Sequence, residues 1–323
     1  MTGGVLIERT RARNRILNLL KVLVSVVGLA IVLLTQDIDK AIQLLREMEL
    51  QPFLGALFLF LVGLIVRAYR WGSLVWALGV EVSWWRLVGL NFVGAFFGLF
   101  LPTGVGGDAV KMYELTRDEG KAAAAISSVL VDRFLGLFVL FAMALLALAS
   151  SWELVPPEVR IFIAVLFVAS LIGAALLLQR QWIEASGRRL GLDRLLGRFK
   201  ILHELYDSIH LYGARALLRS TAVSVVWNLI LILGYYLLGL AVGIELSLGI
   251  YFLLVPIISA LLVIPSIGGL GIREGATVFL LKQMGIDESQ ALALALAYDL
   301  TLVISALVGA VLYILQGMRG VRR

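Results

Sequence analysis

The chain has no cysteine, only two histidines and only six prolines in 323 residues. Without cysteine there can be no disulfide, thiolate metal site or cysteine nucleophile. Charge is scarce as well. Lys, Arg, Asp and Glu make up 15% of the chain, against about 25% in a soluble domain. No HExxH, P-loop or GxSxG pattern occurs, which argues against a metallohydrolase, an ATP-driven pump and a serine hydrolase. His203 and His210 are seven residues apart in a basic stretch. They read as surface residues rather than a metal pair, and no metal or cofactor is expected.

Apolar residues fill the space that charge leaves. They form 61% of the sequence and the mean hydropathy is +0.97, whereas a soluble domain holds about 45–50% apolar residues. The composition predicts an all-α polytopic membrane protein, one integral membrane domain over residues 1–323. The formal charge is +6. It fits cytoplasmic loops facing anionic lipid, not nucleic acid.

Residues 9–15 are a basic flank, and Ile16–Leu34 is long enough to span and lacks a small-residue cleavage site. It predicts a first span entering from the cytoplasm. Residues 37–49 space their apolar side chains as a short amphipathic surface helix. Further spans are predicted over Phe53–Leu78, Ala122–Ala149, Val159–Leu178, Thr221–Val242 and Gln290–Leu315. The stretch 180–219 carries eight basic residues and four acids; it predicts a cytoplasmic connector. The C-terminal Arg319, Arg322 and Arg323 place that end inside too.

Two stretches break this pattern. Leu101-Pro102-Thr103-Gly104-Val105-Gly106-Gly107-Asp108 interrupts an apolar run, and Ile264-Pro265-Ser266-Ile267-Gly268-Gly269-Leu270-Gly271-Ile272-Arg273-Glu274 nearly repeats it. In each, an apolar run stops at proline, passes Gly-Gly and resumes as a helix carrying charge, and the first of these, Asp108–Lys121, is too polar to cross lipid. A re-entrant hairpin fits, and a full span followed by a surface helix is the competing reading. With both termini inside, the first hairpin opens to the cytoplasm and the second to the outside. The expected architecture is therefore two inverted-topology repeats, about 16–150 and 159–316, with about six full spans and two re-entrant elements.

Irregular backbone at membrane depth must be buried in protein or line a wet cavity. Each Gly-Gly turn precedes a helix N-terminus, whose free N–H groups and dipole suit an anion, phosphate above all. The candidate binding residues at the first motif are Thr103, Gly106, Gly107, Asp108 and Lys111. At the second they are Ser266, Gly268, Gly269, Arg273 and Glu274. Ionisable groups inside spans are costly, and by default functional. That adds Arg67, Arg70 and Arg133 as candidate headgroup contacts, and Asp132 and Asp299 as charge-balancing or proton-coupling acids. Arg67 and Arg70 could also snorkel to the interface. Glu274 could neutralise Arg273 locally, and Asn91 could bridge helices.

The residues Asn91, Gly98-Leu99-Phe100-Leu101-Pro102-Thr103, Gly106-Gly107-Asp108, Lys111, Asp132-Arg133, Gly136-Leu137, Pro265, Gly268-Gly269-Leu270-Gly271 and Arg273-Glu274, taken together, resemble the lysylphosphatidylglycerol synthase transmembrane-domain family, also called flippase-like domain proteins. The resemblance covers essentially the whole chain. It implies an inner-membrane protein that moves lipids or lipid-linked sugars between leaflets. In the bifunctional synthases a soluble aminoacyl-transferase domain follows the membrane domain. This chain stops after its last predicted span, so it is similar to the stand-alone members, and the synthase activity is not expected of it.

The leading expectation is a lipid translocase for an anionic phospholipid or a polyprenyl-phosphate-linked headgroup, working by alternating access. Two other classes remain open: an intramembrane lipid-modifying transferase using Asp108 or Asp132, and a secondary transporter of a small anion. The expected partner is membrane lipid, and a homo-oligomer is compatible with the sequence.

Overall fold

A backbone in hydrocarbon must pair its own polar groups, so long apolar runs become helices. The computed structural model describes residues 37–100, 106–119, 121–150, 157–178, 207–262, 264 and 266–320. Among these, every regular element with a defined range is a helix. They are α1 (Ile38–Arg46), α2 (Leu50–Ala77), α3 (Trp84–Phe100), α4 (Gly106–Glu119), α5 (Ala122–Ser150), α6 (Pro157–Leu178), α7 (Ala214–Ala241), α8 (Leu248–Leu261), α9 (Ile272–Lys282) and α10 (Glu288–Gly320).

Five of them are long and apolar enough to cross a membrane: α2, α5, α6, α7 and α10. A run of 28 residues, as in α2, α5 and α7, is about 42 Å long at ~1.5 Å per residue. That exceeds a hydrocarbon core of about 30 Å. The expected first span Ile16–Leu34 and most of the basic connector, with His203, lie outside the described residues. Helix α7 begins at Ala214, seven residues ahead of its predicted start at Thr221. The amphipathic stretch forms α1, whose Ala41 is fully buried and which packs against α10.

Helix α7 lies along α2, and small residues set that approach. A Cβ on Gly63 would meet the Trp227 ring at 2.2 Å, and one on Gly234 would meet Phe60 at 2.8 Å. The main core joins residues of α2, α5, α7, α8, α9 and α10. A smaller cluster, Trp71, Val75, Leu87, Leu90, Leu115 and Val129, joins α2, α3, α4 and α5.

Helices α3 and α4 form a hairpin. Both of its open ends lie on one face of the bundle. Arg86, at the start of α3, pairs with Glu114 near the end of α4 at 3.0 Å, and Lys121 donates to the Gly79 carbonyl at 2.8 Å. Helices α8 and α9 form a second hairpin, open on the opposite face. There Gln290 reaches the Gly243 carbonyl at 3.4 Å, and the Glu49 N–H donates to Ala241 at 2.8 Å. Lys40 and Asp287 pair on that same face at 3.1 Å.

The second hairpin touches the C-terminal end of α3. A Cβ on Gly268 would lie 3.0 Å from the Leu99 carbonyl oxygen, and Gly268 has φ +60°. A residue with a side chain would therefore be both strained and crowded there.

Candidate functional site

The first hairpin closes tightly near its tip. A Cβ on Gly107 would sit 2.0 Å from the Gly94 oxygen, so glycine lets α3 and α4 touch backbone to backbone. Beside this crossing lies a cavity of about 150 Å³. Its wall is Asn91, Gly94, Ala95 and Gly98 of α3, Gly107, Asp108 and Lys111 of α4, Arg67 of α2 and Arg133 of α5. Asp108 sits in the first turn of α4, so that helix opens into the cavity with its positive dipole end.

The charges in this wall are arranged unequally. Asp108 is buried and accepts from Lys111 at 2.7 Å and from Arg133. The Lys111 ammonium also lies 5.1 Å from the centre of the Trp71 ring. Arg67 is only partly buried, and its guanidinium stands 5.4 Å over the Trp227 ring. Among the described residues no carboxylate lies within ion-pair distance of it. Among the described residues of this wall three cations therefore face one acid. Stacking on an indole ring holds an arginine in place and leaves its N–H edge free to donate.

Arg70 is engaged differently. Its Nε and Nη2 donate to the two Asp132 oxygens at 2.6 and 2.7 Å, and its Nη1 lies 3.5 Å from Ser224. Both side chains are about 95% buried. A Cβ on Gly136 would come within 2.6 Å of Arg70 Nη1. This bidentate pair neutralises itself and joins α2 to α5. Asp132 and Arg133 are neighbours in sequence, yet they serve different partners, because successive helical residues point about 100° apart.

The remaining expected residues divide between the two hairpins. Asn91 lines the cavity and donates to the Leu87 carbonyl at 3.1 Å. Gly106 and Gly107 are the first two residues of α4 rather than a turn ahead of it as expected, so their own N–H groups belong to the open helix end; Thr103 lies outside the described residues, as does Pro265. Ser266 is buried at the second hairpin turn, where Gly268, Gly269 and Gly271 all have positive φ. Arg273 pairs with Asp299, donates to the Gly268 carbonyl at 2.9 Å and lies 5.0 Å from the Tyr298 ring centre. Glu274 accepts from the Gly271 N–H at 2.5 Å, bracing the start of α9. None of these second-hairpin residues is in the cavity wall. Apart from the Arg70–Asp132 pair, the candidate residues thus fall into two clusters, one at each hairpin.

The two clusters have opposite polarity. At the first hairpin an acid on the short helix, Asp108, meets a base on the following span, Arg133. At the second a base on the short helix, Arg273, meets an acid on the following span, Asp299. Sequence reasoning missed several contributors. Gly94 and Gly98 meet the expected Gly107 at the hairpin crossing, and their i, i+4 spacing was a readable sign of close helix packing. Trp71 and Trp227 hold cations by their rings, and Tyr235 and Tyr298 stack at 4.4 Å beside Arg273. Nothing in the sequence distinguishes these aromatics from ordinary packing residues. Among the described residues no group of three or more His, Cys, Asp or Glu is placed to hold a metal.

Buried arginines, glycine-broken hairpins and five membrane-length helices define an integral membrane protein with a polar interior. The family model described as lysylphosphatidylglycerol synthase TM region matches residues 18–309, and the chain belongs to that family. It is also similar to the UPF0104 membrane protein PH1989 of Pyrococcus horikoshii, with 21% identity over 194 residues. That match takes in 58% of this chain and 57% of the relative's length.

Proposed function

We propose that this protein is a lipid translocase that binds an anionic headgroup in the cavity beside the first hairpin and carries it between leaflets. One observation carries the reading: among the described residues three cations face a single acid at a helix N-terminus, and one of them, Arg67, stands over an indole ring with no carboxylate at ion-pair distance. A phosphate supplies the missing negative charge and enough oxygen acceptors for Arg67 and the first N–H groups of α4. The headgroup is that of a phospholipid or a polyprenyl-phosphate-linked molecule, with its chains left in the bilayer. Asp108 is already held by two cations, which leaves it a weak base for transferase chemistry.

In this reading the face carrying the open end of the first hairpin is cytoplasmic, as are both termini, and the protein sits in the plasma (inner) membrane. The two hairpins belong to inverted repeats. Rocking of one repeat against the other moves the point of access from one leaflet to the other. The hairpins open on opposite faces and meet at Leu99 and Gly268, which supports a central barrier of this kind.

The test uses purified protein in liposomes holding fluorescent phospholipids of several headgroups, and separately a polyprenyl phosphate. Wild-type protein is expected to move anionic lipid selectively. Arg67→Gln removes one charge-assisted contact worth about 1.5–3 kcal/mol, so binding of the headgroup should weaken about ten- to hundredfold. Unchanged selective movement by a folded Arg67→Gln protein would remove the cavity from the mechanism. Movement of a water-soluble anion but of no lipid would replace the translocase with a solute transporter.

A further inference from the structure

The second hairpin holds a group of charges that anion binding in the first cavity does not use. Glu274 is 1% exposed and Asp299 sits opposite it on α10 with a side chain 17% exposed. Each carboxyl has one engaged oxygen. Glu274 Oε2 takes the Gly271 N–H, and Asp299 Oδ1 takes Arg273. Each also has one buried oxygen, Glu274 Oε1 and Asp299 Oδ2, without a hydrogen-bond partner among the described residues. The two carboxyl groups lie within hydrogen-bonding reach of each other. Ionised carboxylates only accept. As two anions they would leave both oxygens unsatisfied and set like charges together in a buried place, which is the most expensive arrangement available.

The groups facing Glu274 can be counted. Arg273 on its own helix contributes one positive charge, and Asp299 on α10 one negative charge. Tyr298 of α10 and Tyr235 of α7 are neutral phenols beside Arg273. Helix α8, which also packs on α9, carries no charged residue. With Glu274 ionised the cluster has a net charge of −1. One added proton brings it to zero and turns one carboxyl into an O–H donor that satisfies both orphaned oxygens.

We propose that Glu274 and Asp299 form a proton-binding pair that shares one proton, and that exchange of this proton drives the second hairpin. Asp132, the other span acid, is not part of this site, because Arg70 occupies both of its oxygens. The pair is suited to a proton rather than a metal cation, since among the described residues it offers two free carboxylate oxygens and no third acid joins them.

The coupling route is short. Arg273 binds Asp299 on one side and the Gly268 carbonyl on the other. Gly268 is the point at which the second hairpin touches Leu99 of the first. Loss of the proton adds a negative charge beside Arg273 and competes for the guanidinium that holds this tip. Tyr298 is within electrostatic reach of both Arg273 and Arg67, so the proton site and the anion cavity share a neighbour. That the proton drives lipid movement rests on the translocase reading; that the pair binds a proton does not.

Infrared difference spectroscopy on the full-length protein in lipid, titrated through neutral pH, separates the two. Wild-type protein is expected to show one protonated-carboxyl stretch per chain. Glu274→Gln and Asp299→Asn should each abolish it, because the surviving acid then faces Arg273 and an amide and ionises. Asp132→Asn should retain it. Circular dichroism establishes that each variant is folded. Absence of the band in wild-type protein, or its survival in both Glu274→Gln and Asp299→Asn, overturns the proposal. So does sodium-dependent thermal stabilisation in place of a band. A band that behaves as stated in a protein that moves no lipid would keep the proton site and refute the translocase reading alone.

Discussion

Replacing Arg70 by methionine would leave the Asp132 carboxylate about 95% buried with its bidentate partner gone. Two parallel N–H···O contacts of 2.6 and 2.7 Å are lost at once. Breaking such a pair from one side costs about 3–5 kcal/mol, because a buried charge is left uncompensated. Asp132→Leu strands the guanidinium instead and should cost a similar amount. The double variant Arg70→Met with Asp132→Leu removes both charges and fills the space with apolar atoms, a change that is often neutral or stabilising by about 1–4 kcal/mol. The two single losses therefore should not add. The expected coupling is several kcal/mol, above the roughly 0.5–3 kcal/mol seen between ordinary neighbours. Unfolding in mixed micelles, followed by circular dichroism for the four proteins of the cycle, measures it. Additivity within about 0.5 kcal/mol, or single variants as stable as wild type, would refute a self-neutralising pair and return Arg70 to the set of free cations.

Gly107→Ala should destabilise by about 1–3 kcal/mol, the usual cost of overpacking, because its Cβ would meet the Gly94 oxygen at 2.0 Å; thermal unfolding and anion binding should worsen together. Gly268→Ala combines positive φ with a contact of 3.0 Å to Leu99 and should cost about 1–2 kcal/mol, read from the same melts, while leaving binding of phosphate at the first cavity nearly unchanged. Trp227→Leu should weaken anion binding through a loosened Arg67, with a cation–π contribution of about 0.5–2 kcal/mol at stake; titration with phosphate-headgroup lipid checks it. The Lys40 hydrogen bond holds the Asp287 carboxyl below its ordinary range. A depressed acid contributes stability above its unfolded pKa of about 3.9 and loses it as pH falls through the folded value. Acidification below about pH 4 should therefore loosen α1 from the end of α10 by no more than about 1 kcal/mol, since the pair is exposed. Lys40→Met should abolish that pH dependence in hydrogen exchange of α1.

Length and hydropathy alone placed α2, α5, α6 and α10 to within a few residues, because a bilayer demands long apolar helices and leaves few alternatives. The interruption between α3 and α4 and the turn at Gly268-Gly269 were legible because proline and glycine cluster there, whereas a single proline such as Pro256 stays inside α8. The basic stretch and the positions of Arg67, Arg70, Asp132, Arg133 and Asp299 could be read as costly charges without knowing their partners. Partner choice was not legible. Arg70 finds Asp132 across 62 positions, and nothing in either residue's neighbourhood distinguishes Arg70 from Arg67 three residues earlier. Only the packing of α2 against α5 and α7 engages one arginine and leaves the other over Trp227. Only the closeness of α9 and α10 sets Glu274 against Asp299, and so makes a local cap residue into half of a carboxyl pair. The sequence determines which groups must leave water, because that depends on each segment's own composition. Which of those groups neutralise one another, and which stay free for a ligand or a proton, depends on distances of a few ångströms between helices far apart in the chain, and only the tertiary structure decides it.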